Sequence, residues 1–465
     1  MIFPSPIHAL NWLSSTVDSS QVLAIFSKLF TSDDAFRPDE FDVDAKSGFF
    51  PPAPLPKLPD EFAEWEAAFA AAPGILALGE DKSEEALSKR SDGAWWRSNA
   101  RSWPVKDIDI LCGDIRLLQR AHMVLASLLH FYVHSLPPTD SAIIVPKSIA
   151  IPLVKVSREL SMAPVLTFAD TVLWNWELID PSLPVRVDNM RYLNIFSGTE
   201  TERAFYLASA AVELKGVEML DIFNRFQNLP ASSYTDAHVM AQLAKDLGQL
   251  ASIVNELTQI FQSMRETVDP TDFYWAVRPW WAGATSKGPN HPGWIFEGVP
   301  NGDSAHLDLG GASAGQSSVM HALDVFLDID HRLATKRKPA PSEPNRRADL
   351  GFMQRMWRYM PGKHREYLTR LRSVRPVVER APSLRDSYNA AVRALKTLRD
   401  FHIRIVAIYV VTKAGSTPPA RFALDEHEGT EGTQKNGPAR GTGGSEVSNL
   451  LKAGRDATQR ALLQE

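Results

Sequence analysis

Residues 395–409 read Leu-Lys-Thr-Leu-Arg-Asp-Phe-His-Ile-Arg-Ile-Val-Ala-Ile-Tyr. Leu395, Leu398, His402, Ile405, Val406 and Tyr409 fall on one face of a helix, because side chains three and four residues apart stack on the same side. The pattern predicts a long helix over 383–412. His402 is the odd member of its apolar stripe. An imidazole aimed into a core must be hydrogen-bonded, charged by a partner or bound to a metal. The plain reading is a satisfied core histidine; a metal ligand is the alternative.

The same periodicity recurs outward from that helix. It predicts helices over 107–135, 152–162, 164–177, 201–228, 236–267, 313–331, 349–360, 363–373 and 446–464. Strand-type alternation is scarce, and no βαβ series or internal repeat stands out. The expected fold class is therefore all-α.

The flanking segments read differently. Residues 1–48 suggest an extension with a short helical piece near 18–30. Five prolines between Phe49 and Pro59 remove donors and favour an extended path, here a packed strap rather than a ligand for an aromatic groove. Asp60 is placed to cap a helix carrying Phe62, Trp65 and Phe69. Residues 80–103 are polar, with Trp95, Trp96 and Trp103 among charges, and suggest a surface insertion. Residues 332–348 suggest a solvated connection. Residues 414–444, rich in Gly, Thr, Pro and Glu, suggest a mobile loop, either a lid or a linker.

A chain of 465 residues can hold two or three domains. A formal charge of −5 gives no reason to expect nucleic acid or an anionic membrane as partner. Cys112 is the single cysteine, which excludes an internal disulfide and any multi-thiolate metal site and fits a reducing, cytoplasmic setting. The first residues lack a basic stretch followed by an apolar one, so no secretory signal is expected. The most apolar run, Ile403 to Val411, falls far short of the roughly 20 residues that span a bilayer.

Seven segments occur in an order that resembles the indoleamine 2,3-dioxygenase family. They are Pro164–Asp170, Phe205–Glu213, Phe273–Gly283, Ser313–Ser318, Tyr359–His364, the helix around His402, and Gly441–Gly444. The resemblance spans roughly 45–465, and the 80–103 segment and the tail loop look most like fungal members. It implies a two-domain helical haem protein, with a smaller domain over 1–196 and a larger haem-binding one over 197–465. The implied reaction is cleavage of the indole C2–C3 bond of L-tryptophan by O2 to N-formylkynurenine. It implies a small-molecule substrate, an electron donor that keeps iron ferrous, and a monomer.

Residue by residue, the resemblance makes His402 the proximal ligand of haem b. Arg278 matches the residue that grips the substrate carboxylate, whose two oxygens suit a guanidinium fork. Pro279 follows it, which predicts non-helical dihedrals at Arg278. Phe205 and Phe273 match aromatics against the indole, and Ser209 matches a distal serine. Phe168 and Thr171 match positions flanking the substrate. Ser313, Ala314 and Gly315 match a turn beside the haem. Asp324 and Arg399 each match a family position with a structural or ionic role near its proximal side. Thr442 matches a threonine that closes over the substrate ammonium. Most have a plainer alternative: core packing for the aromatics, a serine bonding its i−4 carbonyl, a helix cap at Ser313, a surface or helix-end arginine at Arg278, and solvated charges at Asp324 and Arg399. The chain also departs from mammalian members. Phe168 stands for Tyr, Thr171 for Cys, Trp280-Trp281 for Tyr-Leu and Ala312 for Gly, so substrate identity stays open.

Overall fold

The structure is a computed structural model that describes residues 35–286, 291–306, 309–343, 346, 351–423, 441–442 and 447–464. The helical piece expected near 18–30 and most of the loop at 414–444 lie outside these residues. Pro38–Glu465 form one unit, and position 196 falls inside it.

The main helices are α1 (Ala63–Ile75), α2 (Arg90–Ser102), α3 (Ile115–His134), α4 (Lys147–Glu159), α5 (Glu200–Lys215), α6 (Val217–Gln227), α7 (Ala237–Thr267), α8 (Ser318–Phe326), α9 (Gly362–Arg370), α10 (Arg385–Val406) and α11 (Val447–Ala461). Among the described residues the strands are four three-residue pieces. Ile143–Val145 pairs in parallel with Trp294–Phe296, and Trp176–Leu178 pairs antiparallel with Met190–Tyr192. The fold is all-α, as the periodicity predicts.

α10 is the axis of the C-terminal half. Tyr388, Ala391, Val392, Leu395 and Leu398 are buried along its stripe, against α7 on one side and α11 on the other. α5 packs on α7, and α8 sits near α6 and α9. In the N-terminal half α3 is central. Every residue from Leu118 to Val133 is buried, with α1 and α4 against it.

Several sequence expectations give way to local chemistry. The 80–103 segment is not a loose insertion. Residues 90–102 form α2, which rests on α1 and α4. Trp96 and Ala100 are buried, Trp103 is buried just beyond, and Trp95 is 67% exposed. The buried residues lie four and three apart, a helical signal that the surrounding charges obscure.

Residues 38–48 are likewise part of the core rather than an extension. Phe41 and Val43 are buried, and Phe49 meets His364 at 4.7 Å between ring centroids. The proline strap does pack internally, with Phe50, Leu55 and Leu58 buried. Asp60 makes no cap; it opens a 3-10 turn, and α1 follows Phe62 without a side-chain cap.

The helix expected over 201–228 breaks at Gly216. A Cβ there would lie 2.3 Å from Val319 Cγ2, so the α5–α6 junction needs glycine to approach α8. The helix expected over 164–177 is replaced by a π-helical turn, Ala169–Leu173, and the strand Trp176–Leu178. Asp170 explains the change: its carboxylate accepts from Thr167 N, Thr167 Oγ1 and His122 Nδ1, which fixes a tight local turn.

Candidate active site

A cavity of about 320 Å³ opens where α5, α8 and α10 converge with the turn at Ser313–Gly315. Three π-helical turns, Ala169–Leu173, Phe273–Val277 and Ala407–Val411, add Thr171, Phe273 and Tyr409 to its wall. A π turn inserts a residue into the helical repeat and re-aims the side chains that follow, a device common at functional sites. Every site residue named from the sequence lines this one cavity: Phe168, Thr171, Phe205, Ser209, Phe273, Arg278, Ser313, Ala314, Gly315, Asp324, Arg399, His402 and Thr442.

His402 projects from α10 into the cavity, with the Phe261 ring 5.8 Å away. Burial, then the Arg399 charge, push its imidazole down to about 4, so it is neutral near pH 7. Among the described residues no group hydrogen-bonds it. A neutral, unpartnered imidazole on an apolar wall is a suitable donor to a metal ion. The core-histidine alternative would require a protein partner, and among the described residues none bonds it.

One turn earlier on α10, Arg399 Nη2 lies 2.6 Å from both carboxylate oxygens of Asp324 on α8. His331 Nε2 bonds Asp324 Oδ2 at 2.8 Å. Burial alone would raise the Asp324 carboxyl, but Arg399 and then His331 outweigh it and hold it well below the usual carboxylate range. Arg399 also donates to Gly454 O and Thr458 Oγ1 of α11. The pair is therefore buried and structural, not two solvated charges.

Another part of the wall is aromatic. Phe205 and Phe273 lie 5.0 Å apart between centroids, and Trp281 is 5.2 and 5.8 Å from them. Ser209 follows Phe205 by one turn, and its hydroxyl donates to Phe205 O at 2.9 Å. The i−4 bond named as the plainer alternative is thus made, and the oxygen keeps its accepting capacity toward the cavity.

Arg278 completes this wall. Its guanidinium carbon sits 4.9 Å from the centre of the Tyr274 ring, a cation–π contact. Burial pulls the group down from the ordinary arginine value, and Tyr274 opposes that. The expected non-helical backbone is not found: Arg278 has φ −54° and ψ −36°. The break comes one turn earlier, in the π-helical turn Phe273–Val277. Pro279 then occupies the first turn of a new helical segment, where no N–H is needed.

The Ser313–Gly315 turn is small and braced. Ser313 Oγ accepts from Gly315 N at 3.2 Å and caps a 3-10 turn, while Ser317 caps α8 itself. The helix expected from 313 therefore starts at Ser318. His321 Nε2 donates to Gly315 O at 2.8 Å, and its Nδ1 accepts from Trp357 Nε1 at 3.1 Å. Gln316 ties the turn to the next wall: its Oε1 accepts from Phe168 N, and its Nε2 donates to Gly311 O. Thr171 Oγ1 donates to Thr167 O at 3.1 Å.

Thr442 closes the ring of residues. Its carbonyl accepts from Gly311 N at 3.2 Å and Gly283 N at 3.5 Å, and its hydroxyl donates to Ala312 O at 2.5 Å. Gly283 and Gly311 come so close that a Cβ on either would overlap the backbone of the other segment. The rest of the 414–444 loop named as mobile lies largely outside the described residues.

Sequence reasoning missed two residues here, Glu213 and His321. Glu213, two turns after Phe205 on α5, is buried, with Oε1 bonded by Ser317 Oγ and Oε2 without a partner among the described residues. Burial raises its carboxyl to about 7, against the Ser317 hydrogen bond. His321 precedes Asp324 by three, a spacing that could have flagged it. Trp281 was noted as bulky, but only the structure separates it from Trp280. Trp280 packs away from the cavity on Phe131 and Phe196.

Comparisons with known proteins agree with this architecture. The sequence profile of the family described as "Indoleamine 2,3-dioxygenase" matches residues 37–461. Rat indoleamine 2,3-dioxygenase 1 is 30% identical over 431 residues, covering 91% of this chain and 95% of the relative. The indoleamine 2,3-dioxygenase of Aspergillus candidus is 29% identical, covering 90% and 96%. A Fusarium equiseti protein named 6-hydroxytryptophan 2,3-dioxygenase is 29% identical, covering 89% and 95%. Among the described residues no helix is long and apolar enough to cross a membrane. A matched profile over nearly the whole chain, together with relatives covered almost end to end, makes this chain a member of the indoleamine 2,3-dioxygenase family.

Proposed function

We propose that this chain is a haem-dependent dioxygenase that cleaves the C2–C3 bond of the indole of L-tryptophan. Both atoms of O2 enter the product: C2 becomes a formyl group on the ring nitrogen and C3 a ketone, giving N-formylkynurenine. The observation that carries the reading is a single apolar cavity faced by a neutral, unpartnered imidazole, His402, and by a guanidinium, Arg278. The first would hold iron through its nitrogen; the second suits an amino-acid carboxylate.

The residues present fit haem b. The cavity wall is mostly apolar, His402 offers a nitrogen, and the Ser313–Ala314–Gly315 turn puts only small side chains on its part of the wall. When bound, the group supplies the iron that activates O2. An electron donor holding that iron ferrous is part of the same reading.

The protein's own share is binding and orientation. Arg278 receives the carboxylate through its planar fork. Phe205, Phe273 and Trp281 enclose the indole and exclude water, with Phe168 and Thr171 on a neighbouring wall. Ser209, its proton committed to Phe205 O, accepts a hydrogen bond and does not act as a base. Thr442, which bridges Gly283, Gly311 and Ala312, is the residue this reading assigns to the substrate ammonium. On the other side, Asp324 and Arg399 fix α10 and hence the direction of His402.

A second reading stays in the same family: another indole as substrate. A relative whose name is 6-hydroxytryptophan 2,3-dioxygenase supports it, while the bulk of Trp281 in the aromatic wall argues against an indole larger than that of tryptophan. A haem protein that binds O2 without oxidising an indole is less well supported, because it has no use for Arg278. Aerobic incubation of haem-loaded, reduced protein with L-tryptophan tests all three. N-formylkynurenine that disappears in Arg278→Ala supports the dioxygenase. Full haem loading with no product removes L-tryptophan as substrate.

A further inference from the structure

The two adjacent tryptophans at 280 and 281 face different parts of the molecule. Trp280 lies in the N-terminal core, 5.5 Å from Phe131 and 6.0 Å from Phe196. Trp281 belongs to the cavity, against Phe205 and Phe273. Its far face stacks on Tyr206 at 5.5 Å and 28°. Its Nε1 donates to Tyr206 Oη at 3.0 Å, and Tyr206 Oη donates to Glu202 Oε1 at 2.8 Å. Glu202 in turn accepts from Phe196 N, Ser197 N and Ser197 Oγ. Tyr206 and Glu202 are buried.

We propose that Trp281, locked by Tyr206 and Glu202, sets the width of the indole pocket and selects tryptophan unsubstituted on its benzo ring. This rests on the proposed indole substrate and deepens it. A flexible aliphatic side chain at this position could change rotamer to admit a methyl or hydroxyl group. Trp281 cannot turn aside without leaving its own N–H and the Tyr206 hydroxyl short of a partner in a buried site, and without breaking the stack. The wall is therefore stiff as well as bulky. Rigid pockets discriminate by size, with roughly 10- to 200-fold at stake for a single methylene-sized group. Tyr206 is a positioning residue: it acts on substrate only through Trp281.

The test is equilibrium binding, read from the haem absorbance change, with L-tryptophan, 5-methyl-L-tryptophan and 6-methyl-L-tryptophan as probes. Haem-loaded wild-type, Trp281→Leu and Tyr206→Phe proteins are compared. Wild-type protein is expected to favour L-tryptophan over at least one methylated probe by roughly tenfold or more. Trp281→Leu should collapse that preference toward unity. Tyr206→Phe, which keeps the stack but frees the indole N–H, should reduce it in the same direction by a smaller factor. A merely structural Tyr206 would weaken all three probes alike and leave their ratio unmoved, which overturns the lock. An unchanged ratio in Trp281→Leu overturns the selectivity role while leaving the dioxygenase reading intact. No spectral response to any probe in wild-type and Trp281→Leu alike overturns both.

Discussion

Arg399 Nη2 contacts both carboxylate oxygens of Asp324 at 2.6 Å, one helical turn from His402. Arg399 also reaches Gly454 O and Thr458 Oγ1, so one guanidinium joins α8, α10 and α11 behind the imidazole. The side chains of both partners are largely buried, at 14% and 6% exposure. At that depth, breaking the pair by removing one partner costs more than the pair contributes, because the survivor is left charged and unpaired.

Asp324→Ala is therefore expected to destabilise the fold by about 3 to 5 kcal/mol. It should also weaken haem retention, since α10 loses its tie to α8. Urea unfolding and haem absorbance after gel filtration measure the two effects. The pH dependence has a definite sign. The folded carboxyl is depressed, so its stabilisation is complete above the unfolded value near 4 and is lost only as pH falls below that. An Asp324→Ala protein as stable as wild type at pH 7 would mean the pair is dispensable.

Arg278→Lys keeps the positive charge but loses the planar fork and its contact with the Tyr274 ring. The expected result is a KM for L-tryptophan raised by roughly thirtyfold, about 2 kcal/mol, with haem content unchanged. A kcat loss at constant KM would place Arg278 in the chemistry rather than in carboxylate binding.

The fold class and the residues around the cavity were legible in the sequence for different reasons. Periodicity of 3.6 marks α10 and the stripe that holds His402, because most of α10 is regular helix. It fails where polar side chains redirect the backbone. Asp170 binds Thr167 and His122 and turns 164–177 away from helix. Gly216 breaks a continuous apolar pattern so that α8 can approach. The π turns that aim Thr171 and Phe273 leave no periodic trace, and the one at Tyr409 reads as ordinary helix. Glu213 was invisible because a carboxylate on a mixed helix reads as a solvated charge until its neighbours are known. Likewise, no pattern in the sequence says that Trp281 faces the cavity and Trp280 does not.

Thr442→Val removes the hydroxyl that donates to Ala312 O but leaves the carbonyl that accepts from Gly283 and Gly311. One hydrogen bond of about 1 kcal/mol corresponds to a KM increase of roughly fivefold, with no change in haem content. Stopped-flow mixing of the haem-loaded protein with L-tryptophan should show the loss mainly as faster dissociation. An unaltered dissociation rate would show that the hydroxyl does not help retain substrate.

Glu213→Gln should separate burial from hydrogen bonding at the deepest carboxyl of the cavity wall. In the folded chain this group rises to about 7 because burial disfavours its charge; in the unfolded chain it sits near 4.5. Below pH 4.5 both states are protonated and titration changes nothing. Between 4.5 and 7 the unfolded chain has released the proton and the folded chain still holds it. Stability therefore falls with rising pH across that window, by about 3 kcal/mol in all, and is flat above it. Glutamine keeps an acceptor for Ser317 Oγ and cannot ionise. Relative to wild type, the variant should gain thermal stability steadily from pH 5 to pH 7.5 and hold that gain beyond. Melting temperatures of the two proteins on one buffer series read the effect directly. Parallel curves would mean that Glu213 is already ionised in the folded protein at pH 5, with its free Oε2 solvated rather than buried.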